Sequence, residues 1–226
     1  MKTEETKIGE YLEKLSSKAP VPGGGGAAAL AGATGASLGL MVCELTHGKK
    51  KYAAFETRCA WIEEKLTKLR DEFIELADED EKVFEPLSKA YGLPKNTPEE
   101  MDYRETTLEQ CLTDASLTPV KVMEKAVEGL QYLGDLAEEG SRMAVSDVGV
   151  AASYMQTALD SAVLNVYINT KMMKNRNKAI ELNDYAGKLL LDGRAKGRLT
   201  YETVEKGLRP TDGPDDKVER NKVDFS

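Results

Sequence analysis

Between Gly23 and Cys43 the chain carries no charged residue and is built mostly of glycine and alanine. Few settings accept such a segment. It is about long enough to span a bilayer. Yet glycine and alanine contribute little transfer energy, Thr34 and Ser37 lie inside it, and membrane insertion rewards Leu, Ile, Phe and Val. The segment therefore reads as a helix from about Ala27 to Thr46, buried at the centre of a helical protein. Gly32, Gly35, Ala36, Gly39 and Cys43 fall on one stripe of it, and small residues in a stripe let a second helix come close. Each helical glycine costs up to about 1 kcal/mol relative to alanine, so three of them imply a packing or functional reason.

The rest of the chain supplies the neighbours. Ile8, Tyr11, Leu12 and Leu15 recur at helical spacing, and Ala19-Pro20-Val21-Pro22 ends that helix before a Gly23–Gly26 loop. Phe55, Cys59, Ile62, Leu66, Leu69, Phe73 and Leu76 alternate steps of four and three. That heptad seam predicts a long helix from about Tyr52 to Phe84, stopped by Pro86 and Gly92-Leu93-Pro94, its apolar edge serving as core or as an oligomer interface. Thr97-Pro98-Glu99-Glu100 is a capping box with proline at the first helical position. Thr118-Pro119 either kinks the helix that follows or starts another, and Glu139-Gly140-Ser141 is a break. Further helices carry Val148, Ala152, Met155, Leu159, Ala162 and Val166, then Ala179, Leu182, Ala186, Leu189 and Leu190. No alternating strand pattern of useful length occurs. The expectation is an all-α, elongated bundle of about seven helices, with residues 1–208 as one domain and 209–226 as a polar, mobile tail.

Composition narrows the function. Lys plus Arg number 31 against 39 Asp plus Glu, a net charge of −8, which opposes broad nucleic-acid binding. Cys43, Cys59 and Cys111 form no CxxC pair, and an odd number is a poor disulfide framework, so a reduced, cytoplasmic protein is expected. Met1 to Glu10 has mixed charge and no apolar core, unlike a signal peptide. His47 is the single histidine, which makes a zinc site or a Ser-His-Asp device improbable and no metal is expected. Acid–base chemistry by a carboxylate or lysine stays open.

Four segments are candidates for that chemistry, each with a plain structural alternative. Pro22-Gly23-Gly24-Gly25-Gly26 offers backbone N–H groups to an anion at a helix start, or is a flexible linker between helices. Lys49, Lys50 and Lys51, followed by Tyr52, form an anion clamp or a solvated helix end. Ser146-Asp147 is an ordinary helix cap, or a carboxylate poised as general acid or base. Asn165 and Asn169 share a helix face and either satisfy neighbouring backbone or meet the polar edge of a heteroaromatic ring.

In this order the segments resemble the cyclodeaminase/cyclohydrolase family, which includes the C-terminal domain of formiminotransferase-cyclodeaminase and the stand-alone methenyltetrahydrofolate cyclohydrolases. The matching stretches are Pro20 to Gly25, Ala28 to Gly32, Leu45 to Tyr52, Leu93 to Glu100, Ala144 to Ala152 and Asn165 to Asn169, within a resemblance running from about Ile8 to Leu208. The resemblance implies an all-helical homodimer with a folate in a cleft near the glycine-rich loop. It implies Asp147 as catalytic group with Ser146 beside it, and Pro22, Gly23, Gly24, Gly25, Lys49, Lys50, Lys51, Tyr52, Asn165 and Asn169 as substrate-binding residues. The lysines would hold the glutamate tail. No cofactor beyond the tetrahydrofolate substrate is implied, nor a nucleic-acid or membrane partner. The expected reaction is hydrolysis of methenyltetrahydrofolate to formyltetrahydrofolate. The alternatives are cyclodeamination of formiminotetrahydrofolate and folate binding without catalysis. The family usually has Ser after its three glycines, where this chain has Gly26.

Overall fold

A computed structural model describes residues 2–210, and the expected tail beyond Pro210 lies outside the described residues. Six α-helices make up the fold: α1 (Ile8–Leu15), α2 (Gly24–Glu44), α3 (Glu56–Tyr91), α4 (Pro98–Glu139), α5 (Val145–Met172) and α6 (Arg176–Leu208). Three short 3-10 turns, Thr3–Glu5, Lys50–Tyr52 and Arg142–Ala144, complete it, and no strand occurs among the described residues. The expected count of about seven falls to six because the helix continues through Pro119 where another could have started.

Pro119 sits inside α4, which runs unbroken for 42 residues. At about 1.5 Å per residue that is roughly 60 Å, which sets the long axis of the bundle. A proline has no N–H for the carbonyl four residues back. That carbonyl belongs to Ala115, and Asn169 of α5 donates to it through Nδ2 at 2.9 Å. The bond missing inside α4 is thus replaced from a neighbouring helix. Pro86 is likewise carried within α3 at an exposed position, so α3 extends to Tyr91, past its expected end.

The α2 helix is the centre of the fold, packed against α3, α4 and α5. A Cβ on Gly32 would stand 2.5 Å from the Phe73 ring of α3. One on Gly35 would stand 3.0 Å from Met155 of α5, and one on Gly39 would stand 2.7 Å from Leu66 of α3 and 3.0 Å from Leu133 of α4. This close approach accounts for the glycine stripe. The helix is long and apolar enough to cross a membrane by length and composition, but Ala29, Ala36, Val42 and Cys43 are fully buried among its neighbours. The heptad seam of α3 is core: every residue from Phe55 to Leu76 on that seam is buried. A second, smaller apolar cluster of Leu87, Leu112, Ala115, Met173, Ala179 and Leu182 joins α3, α4 and α6 at one end of the bundle.

Two further boundaries differ from expectation. The glycines expected to form a loop are helical from Gly24 onward, with Gly23 as an extended N-cap that offers no side chain. Ser146 and Asp147 are not caps. They lie in the first turn of α5, whose N-cap is Ala144 and makes no side-chain hydrogen bond.

Candidate active site

The start of α2 has no cap of its own, and a carboxylate from another helix takes that place. Oδ2 of Asp80, on α3, accepts the Gly26 N–H at 2.9 Å. The Asp80 carboxylate also occupies the space a Cβ on Gly25 would need, so glycine at that position is what lets it in. Burial lifts the Asp80 carboxyl above its ordinary value, the Gly26 N–H draws it partway back, and Glu81 adds to the lift. The carboxyl therefore holds a proton more readily than a surface aspartate.

Two more side chains converge there. The Tyr11 hydroxyl of α1 is buried without a hydrogen-bond partner and lies 3.6 Å from where a Gly26 Cβ would be. Burial, with Glu81 and Asp80 nearby, raises its pKa. Asn165 of α5 stands over Gly24, its Oδ1 and Nδ2 3.7 and 3.8 Å from the missing Cβ, and its Nδ2 donates to Ser161 O at 3.0 Å. Asn169 follows one turn along. The Val21–Pro22 peptide that leads in is cis. A cavity of about 520 Å³ adjoins this group through Tyr11 and Ala27, with Leu12, Leu30 and Ile74 among its apolar walls. Its size suits a small organic ligand.

The other candidates gather elsewhere. Lys49, Lys50 and Lys51 are exposed, and Lys51 Nζ lies 5.5 Å over the Tyr52 ring. The Tyr52 oxygen accepts the Arg142 N–H at 2.9 Å. That bond, with Lys51, Ser141 and Lys49 nearby, draws the phenol below its ordinary pKa. Buried Thr46 accepts the Ser141 N–H at 3.0 Å and donates to Val42 O at 2.6 Å. These bonds tie the lysine segment to the turn that opens α5, where half-buried Asp147 and exposed Ser146 sit. His47, next to the lysines, has a carboxylate on each ring nitrogen: Glu56 on Nδ1 and Glu63 on Nε2, both at 2.9 Å. Both contacts favour the doubly protonated ring, so its pKa is raised, Glu56 contributing most.

The helices α2 and α5 run antiparallel, since Gly24 meets Asn165 while Gly140, just before α5, packs on Val42. The sequence candidates therefore form two groups. Pro22 to Gly25 come together with Asn165 at the start of α2, whereas the Asn169 amide is spent on the Ala115 carbonyl of α4. Lys49 to Tyr52 come together with Ser146 and Asp147 at its end, one helix length or roughly 30 Å away in the same chain.

Asp80 was not among the sequence candidates, although the sequence held its signal. The heptad steps that run from Phe55 to Leu76 place the next core position four residues on, at residue 80. A carboxylate on a buried seam is costly unless it is partnered or used, which is the mark of a functional group.

Comparison with known proteins fits this architecture. The sequence profile of formiminotransferase-cyclodeaminase matches residues 7–188. A methenyltetrahydrofolate cyclohydrolase of Methylorubrum extorquens is 40% identical over 199 residues, covering 88% of this chain and 95% of that protein. The formimidoyltransferase-cyclodeaminase of Mus musculus is 28% identical over 201 residues, covering 89% of this chain but 37% of that longer protein. The crystal structure of a formiminotetrahydrofolate cyclodeaminase from Thermotoga maritima superposes with a TM-score of 0.77 at 27% identity, covering 91% of this chain and 96% of that one.

Proposed function

We propose, because this chain belongs to the formiminotransferase-cyclodeaminase family and holds a half-buried carboxylate at its glycine turn, that it is a methenyltetrahydrofolate cyclohydrolase. The observation that carries the chemistry is Asp80, lifted in pKa and pinned by Gly26 N–H. The bridge of the substrate is a cationic carbon between two nitrogens. As water adds to it, Asp80 takes one water proton and its charge steadies the cation. The tetrahedral carbon then collapses to a formyl group. The bond to one nitrogen breaks, that nitrogen receives the proton back from Asp80, and the hydroxyl proton leaves to solvent. Tyr11 and Asn165 flank the same point and are suited to orient the ring edges, and the cavity beside Tyr11 suits the pteridine. The full-length match to a cyclohydrolase at 40% identity supports this reaction over its alternative.

The second reading, cyclodeamination of formiminotetrahydrofolate, is favoured by one property of the same group. Burial raises the pKa of this carboxyl, so it carries a proton more readily than a surface aspartate, and a departing ammonia requires such a donor. The two reactions share the tetrahedral carbon and would share the site.

A homodimer is part of the proposal. The outward face of α2 presents Thr34, Ser37, Met41 and Leu45, and α5 beside it exposes Val150, Tyr154, Leu164 and Ile168, with no charge among them. A two-fold axis across this face would set two α2 helices antiparallel. The Lys49–Tyr52 segment, Ser146 and Asp147 of one copy would then approach the glycine turn of the other, joining the two groups into one site. We place the enzyme in the cytoplasm, acting without a cofactor beyond its folate substrate.

Turnover of the two folates, followed by the near-ultraviolet absorbance of the methenyl form, tests the reaction. Loss of that absorbance from methenyltetrahydrofolate above the spontaneous rate is the expected result. Its appearance from formiminotetrahydrofolate with ammonia release would transfer the assignment to a cyclodeaminase. Binding of either folate without turnover would make the protein a non-catalytic folate binder. Sedimentation of wild type and Leu164→Glu reads the dimer, which the charge should dissociate.

A further inference from the structure

His47, the chain's single histidine, takes no part in the steps above. Its backbone N–H bonds back to the Cys43 carbonyl at 3.0 Å, so it stands fixed at the end of α2. Its ring bridges two carboxylates of α3, Glu56 on Nδ1 and Glu63 on Nε2, and its side chain is 23% exposed, which shields both contacts in part. Glu56 has a second partner. Its carboxylate also accepts the Gly48 N–H, at 3.2 Å to Oε2 and 3.4 Å to Oε1. Gly48 has φ +67°, in the left-handed region, and turns the chain out of α2 toward Lys49. The lysine segment is thus held at both ends. Glu56, itself held by His47, fixes its start, and the bond from Arg142 N–H to the Tyr52 oxygen fixes its end.

The tie at the start depends on a proton. An imidazolium donates from both nitrogens, whereas a neutral imidazole donates from one and presents an acceptor on the other. Loss of the proton therefore sets a lone pair against one of the two carboxylates. It also leaves both carboxylate charges unopposed by the ring, beside the three lysines that would receive an anion. The neighbouring charges do not restore the balance. Glu44, at the end of α2, adds to the negative side, and Lys49, Lys50 and Lys51 are the ligand's own cations. Arg58 of α3 is paired with Asp135 of α4, and Arg142, before α5, spends its guanidinium on the Ala137 and Glu138 carbonyls. Glu56 most, and Glu63 after it, raise the pKa of the ring against its partial burial. The charged ring and the frame it holds are present below that raised value and lost as pH rises through it.

We propose that His47 is a positioning residue for the Lys49–Tyr52 segment, and that affinity for the anionic part of the substrate falls as its ring loses a proton; this rests on the lysine segment meeting the folate, as read above. Two measurements on the full chain test it. The first is calorimetric titration with 5-formyltetrahydrofolate, which has no bridge to open, from about pH 6 to about pH 9, a range over which its own carboxylates stay ionised. In wild type Kd should weaken about three- to fivefold, as one partly exposed charge would give. His47→Gln should bind weakly at every pH. His47→Arg, charged throughout and able to reach both carboxylates, should bind tightly at every pH. Glu56→Gln should move the midpoint to lower pH. A wild-type Kd that does not change with pH, or the same profile in His47→Gln, overturns the proposal.

The second measurement is nuclear magnetic resonance of the isotope-labelled chain without ligand. The single histidine gives one ring signal, whose midpoint should match that of Kd. The amides of Gly48 to Tyr52 should shift with the ring in wild type and stay fixed in His47→Arg. Should no folate bind to any of these proteins, the folate reading alone fails, and these amides decide. Shifts that follow the ring support the positioning role, and amides indifferent to it overturn that role.

Discussion

The two ends of α2 are built on opposite principles. At its start, side chains from three other helices close on a backbone stripped of its own: Asp80 from α3, Tyr11 from α1 and Asn165 from α5. At its end, the chain folds back on itself, and Thr46 and Tyr52 bond the turn before α5 while the lysines stand in solvent. The first end half-buries a carboxyl held by a backbone N–H, and the second exposes charge on a hydrogen-bonded frame. Reactive chemistry needs the first arrangement, because a charge is most effective where solvent does not screen it. Attraction of an anionic ligand from a distance needs the second.

Several substitutions would break or sharpen this contrast. The largest effect is expected at Asp80. Asp80→Asn should keep the fold, since an amide oxygen still accepts from Gly26, yet lower kcat by about 100-fold or more. Asp147→Asn should cost less; a larger loss there would move the chemistry to the lysine end. Turnover of methenyltetrahydrofolate should rise with pH as Asp80 ionises, above the ordinary carboxylate range. Its contribution to stability has the opposite sign. A carboxyl whose pKa is raised by folding stabilises the protein below its unfolded pKa, and that contribution is lost as pH rises through the folded value. Asp80→Asn should therefore gain on wild type in thermal melts as pH rises through that window.

Gly25→Ala comes next. Its Cβ needs the space of the Asp80 carboxylate, so a cost of about 2 kcal/mol in denaturant titrations is expected together with lost turnover. At the adjacent position the expectation reverses. A Cβ on Gly26 meets nothing closer than 3.6 Å, and a serine hydroxyl there has Tyr11 and Asp80 within reach. Gly26→Ser should be tolerated, with a gain of about 1 kcal/mol from satisfying the Tyr11 hydroxyl. Tyr11→Phe should then cost stability in the serine background and little in wild type, a double-mutant cycle that reads the contact directly.

The smallest effect is expected at the lysine end. The paired carboxylates raise the pKa of His47, so its contribution is present below the ordinary histidine value and lost as pH rises through the raised one. His47→Gln should lower Tm by about 1–2 °C at mildly acidic pH and by nothing at alkaline pH.

Much of this architecture was legible in the sequence. The glycine stripe, the α3 seam and the capping box at Thr97 are local patterns, and local patterns survive folding because they record which face is buried. The helix ends at Pro86 and Pro119 were not legible, because the compensation is non-local: only the packed structure brings Asn169 to the carbonyl that Pro119 leaves free. The site was half legible for the same reason. The glycines and Asn165 announce a close approach without naming the visitor. Asp80, 54 positions from the amide it holds, is visible only as an acid on an apolar seam.

The glycines of α2 also act as a vernier. Gly32 takes Phe73 from α3, Gly35 takes Met155 from α5, and Gly39 takes Leu66 and Leu133 from α3 and α4. Each notch is read by a different helix or a different turn, so α2 cannot slide or rotate by a residue without disengaging all of them at once. Its two ends are thereby locked in phase with each other and with three surrounding helices. Moving the glycine turn relative to the lysine loop would therefore require all three notches to give way together.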